Sequence, residues 1–375
     1  MAGPDPIEPA VNLNDVLTLQ SIEVGSDSVT WASGTATSPS KARSRFTIPQ
    51  VGLLSRVYLD FDGGAAAAFD FTAGGGTGAA PATLAGPFSI VKSVNLMVNG
   101  GAGFYSVSGF GTFLLNSAES DTVYPTSTVP GQAFTSPAGL VYAYDPTADS
   151  RPRFGLEIPV SIAPGSPLGM ILAGNDQTTI EVVIEWDTLD NFSTLAGGAS
   201  ATLALTATVQ VEVFDVPNAA QFNRYVRPLL RWAHWCNEER QEIVSTGAGV
   251  NNVVLDNHDT YLQIIHALKI NGVFSVAALE KALLRLNRAH TRYDEKMPIM
   301  LRKQRRSFGK DLPAVVWTFY EREVDNLRDA LRADRYTDIR AQLDITSGTT
   351  LGSDAHIRTI SRRLIDLGAP PAAAV

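Results

Sequence analysis

Glu181, Glu185 and Asp187 fall at spacings of two and four in the segment IEVVIEWD. On an extended strand such residues share one face. Two carboxyl groups about 5–10 Å apart are what glycoside hydrolysis requires. The same spacing also describes the wet side of a half-buried strand, and solvated positions are the simpler reading. Asp60 and Asp62 repeat the pattern. They suit a surface or turn, because a calcium loop needs further oxygen ligands. The five histidines, His234, His258, His266, His290 and His356, form no HExxH or HxH pair. His258 and Asp259 adjoin Asp256, but no further ligand spacing accompanies them, so structural or surface roles are expected. Cys236 has His234 two residues away, which in a helix faces elsewhere, so an incidental thiol is the better reading. SVSGFG (106–111) is not the GxSxG elbow of a serine hydrolase. The glycine run GGGTGAA lacks the Lys-Ser/Thr ending of a phosphate loop. No catalytic residue, metal or cofactor is therefore expected.

The segment Lys281–Lys310 holds ten basic residues, among them Arg302, Lys303, Arg305, Arg306 and Lys310, against Asp294 and Glu295. Three partners fit such a segment. One is a nucleic-acid backbone. Another is anionic lipid, where each Lys or Arg contributes about 1 kcal/mol near the surface. The third is an acidic surface of a neighbouring subunit, or plain solvent. The charge balance favours the third. Residues 1–218 carry 7 Lys+Arg and 20 Asp+Glu, whereas 219–375 carry 23 and 18, so the halves are −13 and +5 within a total of −8. The acidic half supplies a partner without any polyanion, and the net negative charge disfavours indiscriminate nucleic-acid binding.

The elements that carry these residues divide at the same place. A chain of 375 residues with 31 Gly, 21 Pro and a single Cys is long enough for two domains, and it has no intrachain disulfide. The start MAGPDPIEPA has neither the basic nor the apolar region of a secretory signal, and no apolar run reaches the length of a membrane span. Residues 1–45 read as an N-terminal arm, with Asn12–Ile22 ambiguous between helix and strand. From Arg45 a period of two sets in. Val57, Leu59 and Phe61 oppose Tyr58, Asp60 and Asp62. Ile180, Val182, Ile184 and Trp186 line one face. Leu203, Leu205, Ala207, Val209, Val211 and Val213 line another. One apolar face per strand, without helical patterns between strands, describes antiparallel sheets. Long connections at about 62–88 and 120–152 suit a sandwich whose chain crosses between sheets, such as a jelly roll. Beyond Pro217, Asn218 caps a helical pattern. Ser275–Asn287 has Val276, Leu279, Leu283 and Leu286 at helical spacing, while AVVWTFY (314–320) and Ile339–Ile345 read as strands. The tail GAPPAAAV (368–375) is disordered by composition.

Several segments, judged together, carry a resemblance. In the first half they are SRFTIPQVGLLSRVYLDF, FSIVKSVNLMVNGG, LEIPVSIAPGSPLG, TTIEVVIEWDTL and TLALTATVQVEVFDVP. In the second they are HDTYLQIIHALKINGVF, KDLPAVVWTFYERE, NLRDALRADRYTDIRAQLDIT and HIRTISRRLIDL. Over roughly 45–367 the chain resembles the double jelly-roll major capsid proteins of tectivirus-like viruses, which enclose an internal membrane. The resemblance implies a mainly β chain of two consecutive eight-stranded jelly rolls, 46–217 and 218–367, with a few short helices in loops. It implies a homotrimer of pseudo-hexagonal outline that tiles an icosahedral shell, meets neighbouring capsomers and minor capsid and vertex proteins, and overlies internal membrane lipids. It implies a virion protein made in the host cytoplasm, as in a bacteriophage, with no direct nucleic-acid contact. The Gly/Ala-rich segments 72–87 and 194–201 are then exposed or intersubunit loops. Jelly rolls also serve as lectin and glycosidase scaffolds, so a carbohydrate-binding or carbohydrate-cleaving sandwich is the second function class. It lacks a converging site or a row of exposed aromatics in this sequence.

Overall fold

A computed structural model describes residues 18–31, 38–63, 69–70, 86–100, 104–119, 153–161, 169–174, 178–188, 202–215, 234–243, 248–257, 260–270, 273–274, 276–287, 290–308, 315–320, 330–352 and 355–365. The first half forms strands β1 (Thr18–Trp31), β2 (Arg43–Thr47), β3 (Leu53–Asp62), β4 (Phe69–Asp70), β5 (Val91–Val98) and β6 (Tyr105–Val107). Helix α1 (Gly109–Glu119) follows, then β7 (Arg153–Pro159), β8 (Ile171–Leu172), β9 (Ile180–Trp186) and β10 (Thr202–Asp215). The second half forms β11 (His234–Ile243), β12 (Gly249–Leu255), β13 (Thr260–Ile270), β14 (Val273–Phe274), β15 (Leu279–Leu286) and β16 (His290–Lys296). Helix α2 (Met297–Phe308) follows, then β17 (Val315–Tyr320), β18 (Leu331–Arg332), β19 (Ile339–Ile345) and β20 (His356–Ile365).

Setting aside the two-residue strands, each half threads eight strands in one order. The first, eighth, third and sixth make one sheet: β1–β10–β3–β7 in the first half and β11–β20–β13–β17 in the second. The second, seventh, fourth and fifth make the other: β2–β9–β5–β6 and β12–β19–β15–β16. This is the eight-stranded jelly roll, twice. In both halves the helix follows the fifth strand.

Alternation explains the first roll. The inward set of β10, Leu203 through Val213, is buried and faces Trp31, Trp186, Phe61 and Phe154 within a single apolar cluster. Trp31 and Trp186 meet edge to face at 5.7 Å, and Phe61 stacks on Phe154 at 4.5 Å, arrangements that aromatic quadrupoles favour. Both indoles are satisfied: Trp31 Nε1 donates to the Asp187 carbonyl at 2.9 Å and Trp186 Nε1 to Ser44 Oγ at 3.0 Å. The second roll has its own cluster around Tyr261, Leu284, Leu343 and Ile357. Strand β13 is buried on both faces, unlike its wet-sided counterpart β3. Its even-numbered side, with Ile264 and Leu268, joins the second cluster. Its other side, with Ile265 and Ala267, joins the first.

Three expectations change. Residues 18–31, placed by sequence in the arm, are β1, the outer strand of the first roll's six-stranded sheet. A register shift between Glu23 and Gly25 breaks their alternation. Leu279–Leu286, at helical spacing, is strand β15. Cys236 lies in strand β11, not in a helix. The helical pattern from Asn218, the tail and the Gly/Ala-rich segment 194–201 lie outside the described residues, as does 72–85 of the other such segment.

Candidate assembly surfaces

The two rolls share a sheet. β6, the outer strand of one roll, pairs in parallel with β11, the outer strand of the other, with Tyr105 opposite Asn237 and Ser106 opposite Glu238. A ten-stranded sheet therefore crosses the molecule. Helix α1 starts where it does because Ser108 caps it. Ser108 Oγ accepts the Gly111 N–H at 3.0 Å, and its carbonyl accepts the Thr112 N–H at 2.8 Å. The Ser108 N–H donates to Glu239 Oε2 at 2.8 Å. That places a carboxylate of the second roll at the positive end of a first-roll helix. Arg358 completes the joint. Its Nη1 is 3.5 Å from Glu239 Oε1, and its guanidinium lies 5.3 Å over the Phe274 ring.

The body of α1 is an apolar wedge. Phe113 stacks on Phe88 at 4.1 Å on the first-roll side, while Phe110 meets Phe274 at 4.5 Å on the second. Ile360 of β20, with Ile265 and Ala267 of β13, belongs to the same apolar cluster. The wedge fits because two positions lack side chains. A Cβ on Gly109 would overlap the Phe88 carbonyl oxygen, and one on Gly111 would lie 2.6 Å from Val107 Cγ1 and overlap Glu239 Oε2.

The corresponding outward face of the first roll's own β1–β10–β3–β7 sheet is wet and acidic. Across it Thr208 sits opposite Asp60, Thr206 opposite Asp62, Gln210 opposite Tyr58 and Glu212 opposite Arg56. Glu157 lies opposite Tyr58 from the other side, and Glu23 opposite Gln210. Arg56 pairs with Glu157. Burial, then the charges of Glu157 and Glu212, pushes the Tyr58 phenol up to about 12, so it stays a neutral donor among carboxylates.

Helix α2 is the second roll's counterpart of α1, and its chemistry is opposite. Met297, Met300 and Gln304 are buried. Arg302, Lys303, Arg305 and Arg306 lie on the exposed side, with Ile299 50% and Leu301 36% exposed beside them. Arg305 and Arg306 in the last turn complement the negative end of the helix dipole. Lys303 pairs with Glu295. Thus four of the five patch residues read from sequence come together on one helix, and Lys310 lies outside the described residues.

The other sequence candidates do not converge. Glu185 is committed to Arg43 at 2.6 Å, and the Asp187 side chain accepts the Thr188 N–H at 2.8 Å. Asp60 and Asp62 lie on a strand face, not in a loop. His266 is buried, with Nδ1 3.0 Å from Thr359 Oγ1 and Nε2 2.9 Å from Thr318 Oγ1. Burial pulls its pKa down to about 3. His356 is buried beside Phe274, 6.1 Å between rings. His258 lies outside the described residues, and His234 and His290 fall on β11 and β16. The SVSGFG segment is the end of β6 and the cap of α1, which accounts for its serines and glycines structurally. Among the described residues no group of three or more His, Cys, Asp or Glu is placed to hold a metal, and no helix is long and apolar enough to cross a membrane. Sequence reading missed Glu239, Arg358 and Ser108. Their separation in the chain hides the joint, although a glycine pair in GFGTFLL marks a helix pressed against something.

No protein-family model and no curated protein matches the chain. Solved structures do. The crystal structure of the STIV major capsid protein is 13% identical with a TM-score of 0.64, covering 96% of this chain and 100% of that one. A chain of the atomic structure of Sulfolobus turreted icosahedral virus gives 12% and 0.61, covering 92% and 90%. The PBCV-1 virus capsid gives 13% and 0.59, covering 96% of each. At these identities the likeness is one of architecture, extends over nearly the whole of each chain and agrees with the strand order above: the chain has the double jelly-roll fold of viral major capsid proteins.

Proposed function

We propose that the chain is the major capsid protein of an icosahedral virus, acting as a trimer whose six rolls give a pseudo-hexagonal tile. The observation that carries this reading is the internal joint. Two rolls with one strand order are held as a single body by the β6–β11 pairing and the α1 wedge. Among the edge strands of that body are β1 and β16, each paired on one side only among the described residues. These are the same two kinds of edge that meet inside the chain, the first strand of one roll and the fifth of the other. A head-to-tail repeat of one joint closes into a ring when its rotation allows. Three chains then present six similar flanks. We put the division between the rolls at 217/218. The tile belongs to the virion shell, assembled from chains made in the host cytoplasm. It contacts neighbouring capsomers, minor capsid and vertex proteins, and lipids of an internal membrane, and it has no enzymatic role. Negative-stain electron microscopy of the purified chain tests this. Three-fold particles with six lobes are expected, and uniformly two-lobed monomers at every concentration contradict it.

A further inference from the structure

We infer that α2 of one copy docks on the acidic outer face of the β1–β10–β3–β7 sheet of the next copy, just as α1 docks within the chain. The inference rests on the trimer reading above and specifies its interface. Its starting point is topological. α1 follows the fifth strand of the first roll, packs on β5 and β7 of that roll, and meets the second roll at Phe274 of β14, Glu239 of β11 and, beside Gly111, Ile360 of β20. α2 follows the fifth strand of the second roll. If the joint repeats, the surface that receives α2 is the same sheet of a first roll, the one bearing Asp60, Asp62, Glu157 and Glu212. Strand β16 then runs beside the neighbour's β1, as β6 runs beside β11.

Charge supports the match independently. The internal joint has an apolar centre, Phe110, Phe274 and Ile360, beside its one Glu239–Arg358 pair. A joint between chains must have both halves soluble beforehand, and both are polar here. The helix carries Arg302, Lys303, Arg305 and Arg306. The sheet carries carboxylates among serines and threonines, with Ser28 Oγ 3.0 Å from Thr206 Oγ1. Opposite patches of this kind fix register and speed encounter. Ile299 and Leu301, exposed on α2, supply the apolar contact that charge alone does not. Within its own chain α2 packs on β15, β16 and β17 of the second roll, as α1 packs on β5 and β7 of the first.

Light scattering on full-length variants tests the pairing. Arg302→Glu with Arg306→Glu should reduce the particle mass from three chains to a single chain of 40.1 kDa, with unchanged circular dichroism. Asp60→Lys with Glu212→Lys should do the same from the other side. The chain carrying all four changes should regain the three-chain mass, and 1 M salt should loosen the wild-type trimer. If either reversal leaves trimers intact, or if the fourfold variant stays monomeric, the docking is wrong while the capsid reading stands. Trimers that survive the α2 reversal but lose binding to vesicles of phosphatidylcholine and phosphatidylglycerol would assign the helix to lipid and overturn the pairing. A wild-type chain that never trimerises removes both the docking and the capsid reading.

Discussion

His266 is held between Thr318 and Thr359 with both ring nitrogens hydrogen-bonded, and burial favours the neutral ring, which donates through one nitrogen and accepts through the other. Its folded pKa of about 3 lies below the unfolded value of about 6.5. The fold therefore binds fewer protons than the unfolded chain between these two values. Its contribution is fully present above pH 6.5 and falls by about 1.4 kcal/mol per unit as pH drops towards 3. Melting curves between pH 7 and 4 should show a steep acid limb in the wild type and a flatter one in His266→Gln. Equal slopes would mean that the imidazole stays charged in the fold. Gly109 tests packing. Alanine gains up to about 1 kcal/mol of helix propensity, but its Cβ overlaps the Phe88 carbonyl and lies 2.6 Å from Val91 Cβ, at a backbone pinned by β5. Overpacking of this kind costs about 1–3 kcal/mol, so Gly109→Ala should lower the melting temperature. A rise would show that the helix shifts freely. The strand face shared by Asp60 and Asp62 could be read from spacing. The Glu239–Ser108 contact, 131 residues apart, could not.

Elements with an unbroken period of two were legible. β9 and β10 were read with their faces, because nothing interrupts their alternation. The misreadings share a cause. In β15 the register slips between Leu279 and Lys281 against β19. The inward residues become Leu279, Ala282, Leu284 and Leu286, while Leu283 on the other face is also buried. That set mimics helical spacing. A bulge at Gly25 likewise hid β1. Helix α2 was read only as a basic stretch. Its signal was Met297, Met300 and Gln304, three and four apart, under a run of cations. The joint makes its own prediction. Removing Glu239 leaves the Ser108 N–H without its acceptor and breaks the Arg358 pair, which costs about 1–3 kcal/mol. Phe110→Ala removes a buried ring worth about 3–5 kcal/mol. If the joint couples the rolls, calorimetry should show one unfolding transition for the wild type and two for the Glu239→Ala/Phe110→Ala variant. A single transition, merely shifted, would mean that the rolls are coupled elsewhere.

At the scale of the molecule, composition located the change of character near Pro217, and the resemblance supplied the double roll. Neither revealed that one sheet runs through both rolls, because a parallel pairing of β6 with β11 leaves no local mark. That sheet makes one body of the two sandwiches, and its outer faces differ in charge, acidic at β10 and β3 and basic at α2. The proposed trimer follows if such a body repeats head to tail. The most direct test is the mass of the purified wild-type chain by light scattering over a range of concentrations. The account predicts a particle of three 40.1 kDa chains that persists on dilution. A monodisperse 40.1 kDa monomer throughout would contradict it.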